Sequence, residues 1–262
     1  MSIYHEVRGN GPVLLISQSG EGDAGRTKDL VDHLVGDFTV VTYDRRGLSR
    51  SVAGGGVSMR EHAEDVHELL AGLTDEPAIM LGCSMGASIG LHLAVAHPGQ
   101  VGLLIAHEPV SPRLLPAEDR VRHERELAHL QQVYREEGLG SAVKLIAEVL
   151  GIDPSNPDAE PDLTPHPMNE QRVRNFGYFI EHDFTAVIED TLDVEALRGT
   201  GTRIVPAAGR TTPRDVFDYR CAVALADLVG EEVVTFPGGH NGSTSHPRGY
   251  AALLLELGLG RR

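Results

Sequence analysis

The stretch Gly82-Cys83-Ser84-Met85-Gly86 constrains this chain more than any other. An apolar run, Ala78 to Leu81, precedes it, and an apolar helical pattern, Ala87 to Ala96, follows. A strand that turns at once into a helix leaves space only for small residues around the turn, and Gly-x-Ser-x-Gly supplies them. Such a turn lifts the serine hydroxyl out of the backbone and aims the next N–H groups at one point. Ser84 is therefore the candidate nucleophile. A hydroxyl attacks only when a base takes its proton, so a histidine is expected late in the chain. His240 fits: two glycines precede it, Asn241-Gly242 follow, and the strand pattern Glu232 to Phe236 ends just before. His246 is the alternative base, but it precedes Pro247 at an expected helix start.

The rest of the chain alternates short apolar runs with helical patterns. Val13 to Ile16, Thr39 to Tyr43, Ala78 to Leu81, Val101 to Ala106, Arg203 to Ala208 and Glu232 to Phe236 read as strands. Helical periodicity covers Asp29 to Val35, Met59 to Leu73, Asp215 to Val229 and Tyr250 to Leu257. This alternation predicts a mostly parallel sheet with helices on both faces. It breaks between Ser111 and Ala196, where no strand pattern occurs. Residues 118–137, 140–151 and 168–190 read as helices, separated by a loop at 153–167 that holds Pro154, Pro157, Pro161, Pro165 and Pro167. An insertion of roughly 80 residues is too long for an ordinary connection. The expected organisation is a core of residues 1–110 and 197–262 with a helical cap at 111–196.

The elbow, the stretch Tyr43-Asp44-Arg45-Arg46-Gly47-Leu48-Ser49 after an early strand, and Pro237-Gly238-Gly239-His240 after the last one together resemble the α/β-hydrolase superfamily over nearly the whole chain. The resemblance implies an α/β-hydrolase fold: a mostly parallel, eight-stranded sheet flanked by helices, with the cap over the site. It implies a triad acid for His240 and an oxyanion hole, but no particular substrate. Many relatives place the acid at Gly-x-x-Asp after the strand that follows the cap. Here that stretch is Gly209-Arg210-Thr211-Thr212, and a threonine cannot stabilise an imidazolium by charge. Glu108, after the strand next to the elbow strand, is the favoured substitute. Asp215 is the alternative acid, although a charge at a helix start has an obvious structural role of its own.

For the oxyanion hole, one donor is expected from the Met85 backbone and the other from Gln18 or Ser19, in Ser17-Gln18-Ser19-Gly20, where relatives usually carry His-Gly. The Asp44-Arg45-Arg46-Gly47 stretch reads as structural support, with its arginines paired to carboxylates. Phe176, Tyr178, Phe179 and Phe184 are candidate pocket liners from the cap, or else core packing between its helices.

Composition narrows the partners. A net charge of −15 opposes nucleic acid and anionic membranes. No apolar run approaches the roughly 18–20 residues that span a bilayer. The start of the chain lacks the basic and apolar regions of a signal peptide, and two cysteines, Cys83 and Cys221, give no disulfide framework, so a cytoplasmic location is expected. The expected partner is a small-molecule substrate, with a homodimer as a further option. No metal is expected: His62 and His67 are five apart, and His123 and His129 flank Glu124 and Glu126 without ligand spacing. Gly20-Glu21-Gly22-Asp23-Ala24-Gly25 matches a dinucleotide-binding spacing, but two carboxylates in it would repel a pyrophosphate, so no cofactor is expected either. The reading is a cofactor-independent serine hydrolase of an ester, thioester or lactone. A lyase or cyclase on the same fold, or a ligand-binding protein without activity, are the alternatives.

Overall fold

The computed structural model describes residues 3–51, 57–153, 155 and 158–260. Among them, seven strands form one sheet in the order β1-β3-β2-β4-β5-β6-β7. β1 (His5–Gly9) runs antiparallel to β3 (Thr39–Tyr43), and the others run parallel: β2 (Val13–Ser17), β4 (Ala78–Cys83), β5 (Val101–His107), β6 (Arg203–Gly209) and β7 (Val234–Phe236). The count corrects the expected eight strands to seven among the described residues. β1 escaped the sequence reading for a physical reason. It is an edge strand whose residues are mostly exposed, so its sequence His-Glu-Val-Arg-Gly carries no apolar run. The central strands are buried on both faces and read as continuous apolar stretches.

Helices cover both faces. On one lie α2 (Met59–Ala71) and α3 (Met85–Ala96), packed over Leu15, Val41, Met80 and Leu104. On the other lie α1 (Lys28–Leu34) and, at the end of the chain, a helix over Pro247–Leu259, packed over Leu14, Ile16, Leu81 and Ile105. Every second strand residue thus belongs to one core or the other, as the strand repeat of two requires.

The chain between β5 and β6 is helical: α4 (Ala117–Glu137), α5 (Leu139–Val149), α6 (Glu170–Tyr178), a single π-helical turn (Phe179–Asp183) and α7 (Phe184–Ile188). The Gln131 side-chain amide, on α4, donates to the carbonyls of Ile180 and Glu181 and to Thr185 Oγ1, which locks the π turn onto α4. Pro154 and Pro157 of the proline-rich loop lie outside the described residues, and the described part, from residue 158 on, bonds both to the core and, through His166 O and Arg172, to α6. Glu160 N donates to Ser245 O at 2.8 Å, and Thr164 donates to Asp29 through its backbone N and its hydroxyl, which ties this part of the loop to the core. After β6 come α8 (Phe217–Val229), then β7, the short α9 (Gly242–Ser245) and α10 (Pro247–Leu259).

Candidate active site

The parallel strands end in register, and that sets the site. Ser17 at the end of β2 pairs with Gly82, Cys83 with His107, and His107 with Ala207. The residues that follow these ends share one rim of the sheet. Ser84 follows β4, Glu108 follows β5, and His240 follows β7 by a short turn.

Ser84 is held at φ 53°, ψ −115°, a conformation costly for a residue with a Cβ. Its amide donates to His107 O at 2.8 Å, and its carbonyl accepts from Ala87 N and Ser88 N, so the strained residue is fixed from both sides. The elbow glycines are steric necessities. A Cβ on Gly82 would lie 2.6 Å from Ala87 Cα, and one on Gly86 would lie 2.0 Å from Ser17 O. The helix can start this close to β2 only without those atoms. Met85 opens α3, so its N–H belongs to the first turn, where donors lack intrahelical partners and the helix end is positive. The Met85 side chain itself is buried beneath the site.

Glu108 also has a positive φ, 45°. Its amide donates to Ala207 O at 2.9 Å, its Oε1 accepts from Gly209 N at 2.8 Å, and its Oε2 accepts from His240 Nδ1 at 2.7 Å. Because a carboxylate only accepts, Nδ1 of His240 carries the proton and Nε2 is the free nitrogen of the neutral ring. Burial opposes charge on Glu108, but the hydrogen bond from His240 and the neighbouring histidines outweigh it and hold the carboxyl at about 2. Burial likewise works against charge on His240, yet the Glu108 hydrogen bond and the charges of Asp218 and Glu108 raise its pKa above the ordinary histidine value. Asp215 is exposed and lies outside this arrangement, beside Phe217 and Arg220 in a separate groove. His246 is also elsewhere, between Ser245 Oγ and Asp158. Thr212 is buried beside Gly239.

Ser84 and His240 line one cavity of about 290 Å³. Gln18, Ser19 and Gly20 line it from the end of β2, and Leu127, Leu130, Ile146, Phe176, Phe179 and Phe184 from the helical layer. Tyr178, expected among the pocket liners, is not there; it covers Gly47 and packs on His182.

The loop at 18–20 is shaped by Arg45. This buried guanidinium donates to the carbonyls of Gln18, Ser19 and Gly20 and, through Nε and Nη2, to Asp183 Oδ2 in the π turn. His62 Nε2 meets the other oxygen of Asp183 at 3.2 Å. One side chain therefore fixes both the loop beside Ser84 and the helical layer above it. These contacts fix the backbone of the loop that lines the cavity beside Ser84. The Gln18 side-chain amide is engaged by Thr27 Oγ1. Arg46 pairs with Asp65 in a two-point contact. Glu21, inside the Gly20–Gly25 stretch, is bound by Arg172 and Arg26, so that loop carries ion pairs within the protein.

The profile of the α/β hydrolase fold matches residues 12–176. A hydrolase of Bacillus subtilis (strain 168), itself uncharacterised, is 36% identical over 98% of this chain and 92% of its own length. The chain belongs to the α/β hydrolase fold family. A zearalenone hydrolase of Bionectria ochroleuca is 26% identical over 97% of the chain and 92% of its own length. Among solved structures, a thermophilic esterase from Thermogutta terrifontis superposes with a TM-score of 0.75 at 19% identity, over 98% of this chain and 93% of that one.

Of two further wall residues of this α/β hydrolase cavity, the sequence left Asp218 unremarked and raised His123 only as a metal ligand without the right spacing. Asp218, in Val216-Phe217-Asp218-Tyr219, reads as an ordinary acid at a helix start, and His123 as one member of a charged helix. Both are buried and line the cavity with Ser84 and His240. Only the packing of α8 against α4 and the strand ends reveals them.

Proposed function

We propose that the protein is a cofactor-independent serine hydrolase that cleaves an ester, thioester or lactone of a small to medium organic molecule through an acyl-enzyme on Ser84. The observation that carries this reading is the Glu108–His240 hydrogen bond at 2.7 Å, with the His240 ring and Ser84 in the wall of one cavity.

In this mechanism His240 Nε2 takes the Ser84 proton as the hydroxyl attacks the carbonyl carbon. The imidazolium that results is stabilised by Glu108, which stays ionised because Gly209 N and His240 both donate to it. The carbonyl oxygen becomes an oxyanion facing the Met85 N–H and an amide of the Gln18–Ser19 loop. His240 then protonates the departing alkoxide or thiolate. Water, deprotonated by the same imidazole, attacks the acyl-enzyme and frees Ser84. Removing one oxyanion donor in such sites costs on the order of 10²–10³-fold in rate, which makes the Arg45-held loop part of the machinery. The apolar lining from the helical layer suits an acyl chain or ring, since it offers burial without hydrogen bonds.

The test is hydrolysis of short p-nitrophenyl esters by the wild type and by Ser84→Ala. Turnover that disappears with the substitution supports the reading. Turnover that persists in Ser84→Ala sinks it.

A further inference from the structure

We propose that Asp218 and His123 form a subsite that binds a nitrogen of the substrate carrying at least two hydrogens, a primary ammonium or a primary carboxamide. The proposal rests on the serine-hydrolase reading of the same cavity and adds the substrate's polar group to it.

The observations are two orphaned acceptors. Asp218 is 3% exposed, and its Oδ1 has no hydrogen-bond partner among the described residues. His123 is 4% exposed, and its Nε2 has none either. The residues come from different helices, α8 and α4, and both line the cavity that holds Ser84 and His240. Buried polar atoms in folded proteins nearly always find a partner, and two unpartnered acceptors on residues that line one cavity are positions a bound polar group can satisfy.

The chemistry of that group follows from the protonation of each partner. His123 Nδ1 lies 2.9 Å from Glu126 Oε2, so Nδ1 carries the proton and Nε2 presents a lone pair. The ring is held in place by stacking on Phe217, with centroids 3.2 Å apart. Asp218 is not the acid that orients His240; Glu108 does that. Burial pushes the Asp218 carboxyl up to about 6, so at neutral pH it is an anion with no bonded cation. Two acceptors need two donated hydrogens. A hydroxyl has one to give and a carboxylate none, whereas –NH₃⁺ and –C(O)NH₂ satisfy both at once. Leu127, Leu130, Val143, Ile146 and Leu150 line the same cavity, so a chain carrying the nitrogen would lose water against them on entry.

The test compares p-nitrophenyl esters of equal acyl length ending in methyl, hydroxyl, carboxamide or ammonium. The wild type is expected to favour carboxamide or ammonium over methyl by at least about tenfold in kcat/KM, as a hydrogen bond to a charged group allows. Asp218→Leu, checked for folding by circular dichroism, is expected to invert that order while still cleaving the methyl ester. The relative rates of the ammonium and carboxamide esters decide which nitrogen it is. Calorimetric binding of hexylamine, hexanamide and hexanol to Ser84→Ala gives a readout free of catalysis, with either nitrogen compound expected to bind more tightly than the alcohol. A wild type that prefers the methyl ester, or an Asp218→Leu variant that loses all four esters equally, overturns the subsite. The second outcome would leave Asp218 only its electrostatic role toward His240. Ser84-dependent cleavage of the methyl ester is a separate result, so the hydrolase reading stands or falls apart from this one.

Discussion

Glu108 reaches His240 across 132 positions of sequence from the end of β5, where the acid sits with a left-handed backbone and a second hydrogen bond from Gly209 N. The strand after it, β6, ends in Gly209-Arg210-Thr211-Thr212, and no carboxylate from that turn touches the ring. Glu108 makes both contacts while held at a positive φ of 45°. Glu108→Gln keeps the shape but removes the charge that, in the proposed mechanism, stabilises the imidazolium. It is expected to lower kcat for a p-nitrophenyl ester by about 10³- to 10⁴-fold, while Asp215→Asn changes kcat by less than about twofold. Equal losses in the two variants would show that the hydrogen bond is structural only.

The same pair sets the acid limb of the pH profile. The proposed hydrolysis needs a neutral His240, and the Glu108 hydrogen bond and the Asp218 charge together raise its pKa against the effect of burial. The rise of kcat/KM with pH is therefore expected above the ordinary histidine value of 6.5. Asp218→Asn removes an anion that favours the imidazolium, so its limb moves to lower pH. A limb that stays fixed, or moves up, contradicts the assignment of His240 as the base.

Asp218 costs the fold stability for the sake of the cavity. Its carboxyl is raised from 3.8 to about 6 by burial, so the folded state holds the proton more tightly than the unfolded chain. The cost is absent below pH 3.8, grows as pH rises toward 6, and is constant above that. At 1.4 kcal/mol per unit, the full cost is at most about 3 kcal/mol. Asp218→Asn is expected to raise Tm by several degrees at pH 8 and by nothing at pH 3.5, read by calorimetry. No difference at pH 8 would mean the carboxylate has found a partner in solution.

Arg45 joins the loop beside Ser84 to the π turn of the helical layer, with Asp183 as its counter-charge. Arg45→Met leaves Asp183 buried without its guanidinium, which is expected to cost about 3–5 kcal/mol in chemical denaturation. Arg45→Met combined with Asp183→Leu is expected to recover much of that stability. It should not recover activity, because the Gln18–Gly20 carbonyls still lack their anchor. A double variant with wild-type kcat would show that the loop holds its shape unaided.

The sheet was legible in the sequence wherever its strands are buried on both faces, because burial forces the apolar runs at 13–16, 39–43, 78–81 and 101–106. It was not legible at β1, whose exposed edge position asks nothing of its side chains. The candidate nucleophile was legible because the turn at Ser84 admits only glycine at positions 82 and 86. Choosing between Glu108 and Asp215 needed the strand order, which puts β5 between β4 and β6. Asp218, His123 and the reach of Arg45 were hidden for a plainer reason. Each is an ordinary charged or polar residue on a helix or turn, and only the fold decides that it is buried.

The most direct test of the account is intact-mass spectrometry after a fluorophosphonate reacts with the protein, followed by peptide mapping. The expected result is one adduct per chain on Ser84, slowed strongly in Glu108→Gln and absent in Ser84→Ala. A protein that stays unmodified, or carries the adduct on another residue, would contradict a serine nucleophile activated by His240 and Glu108.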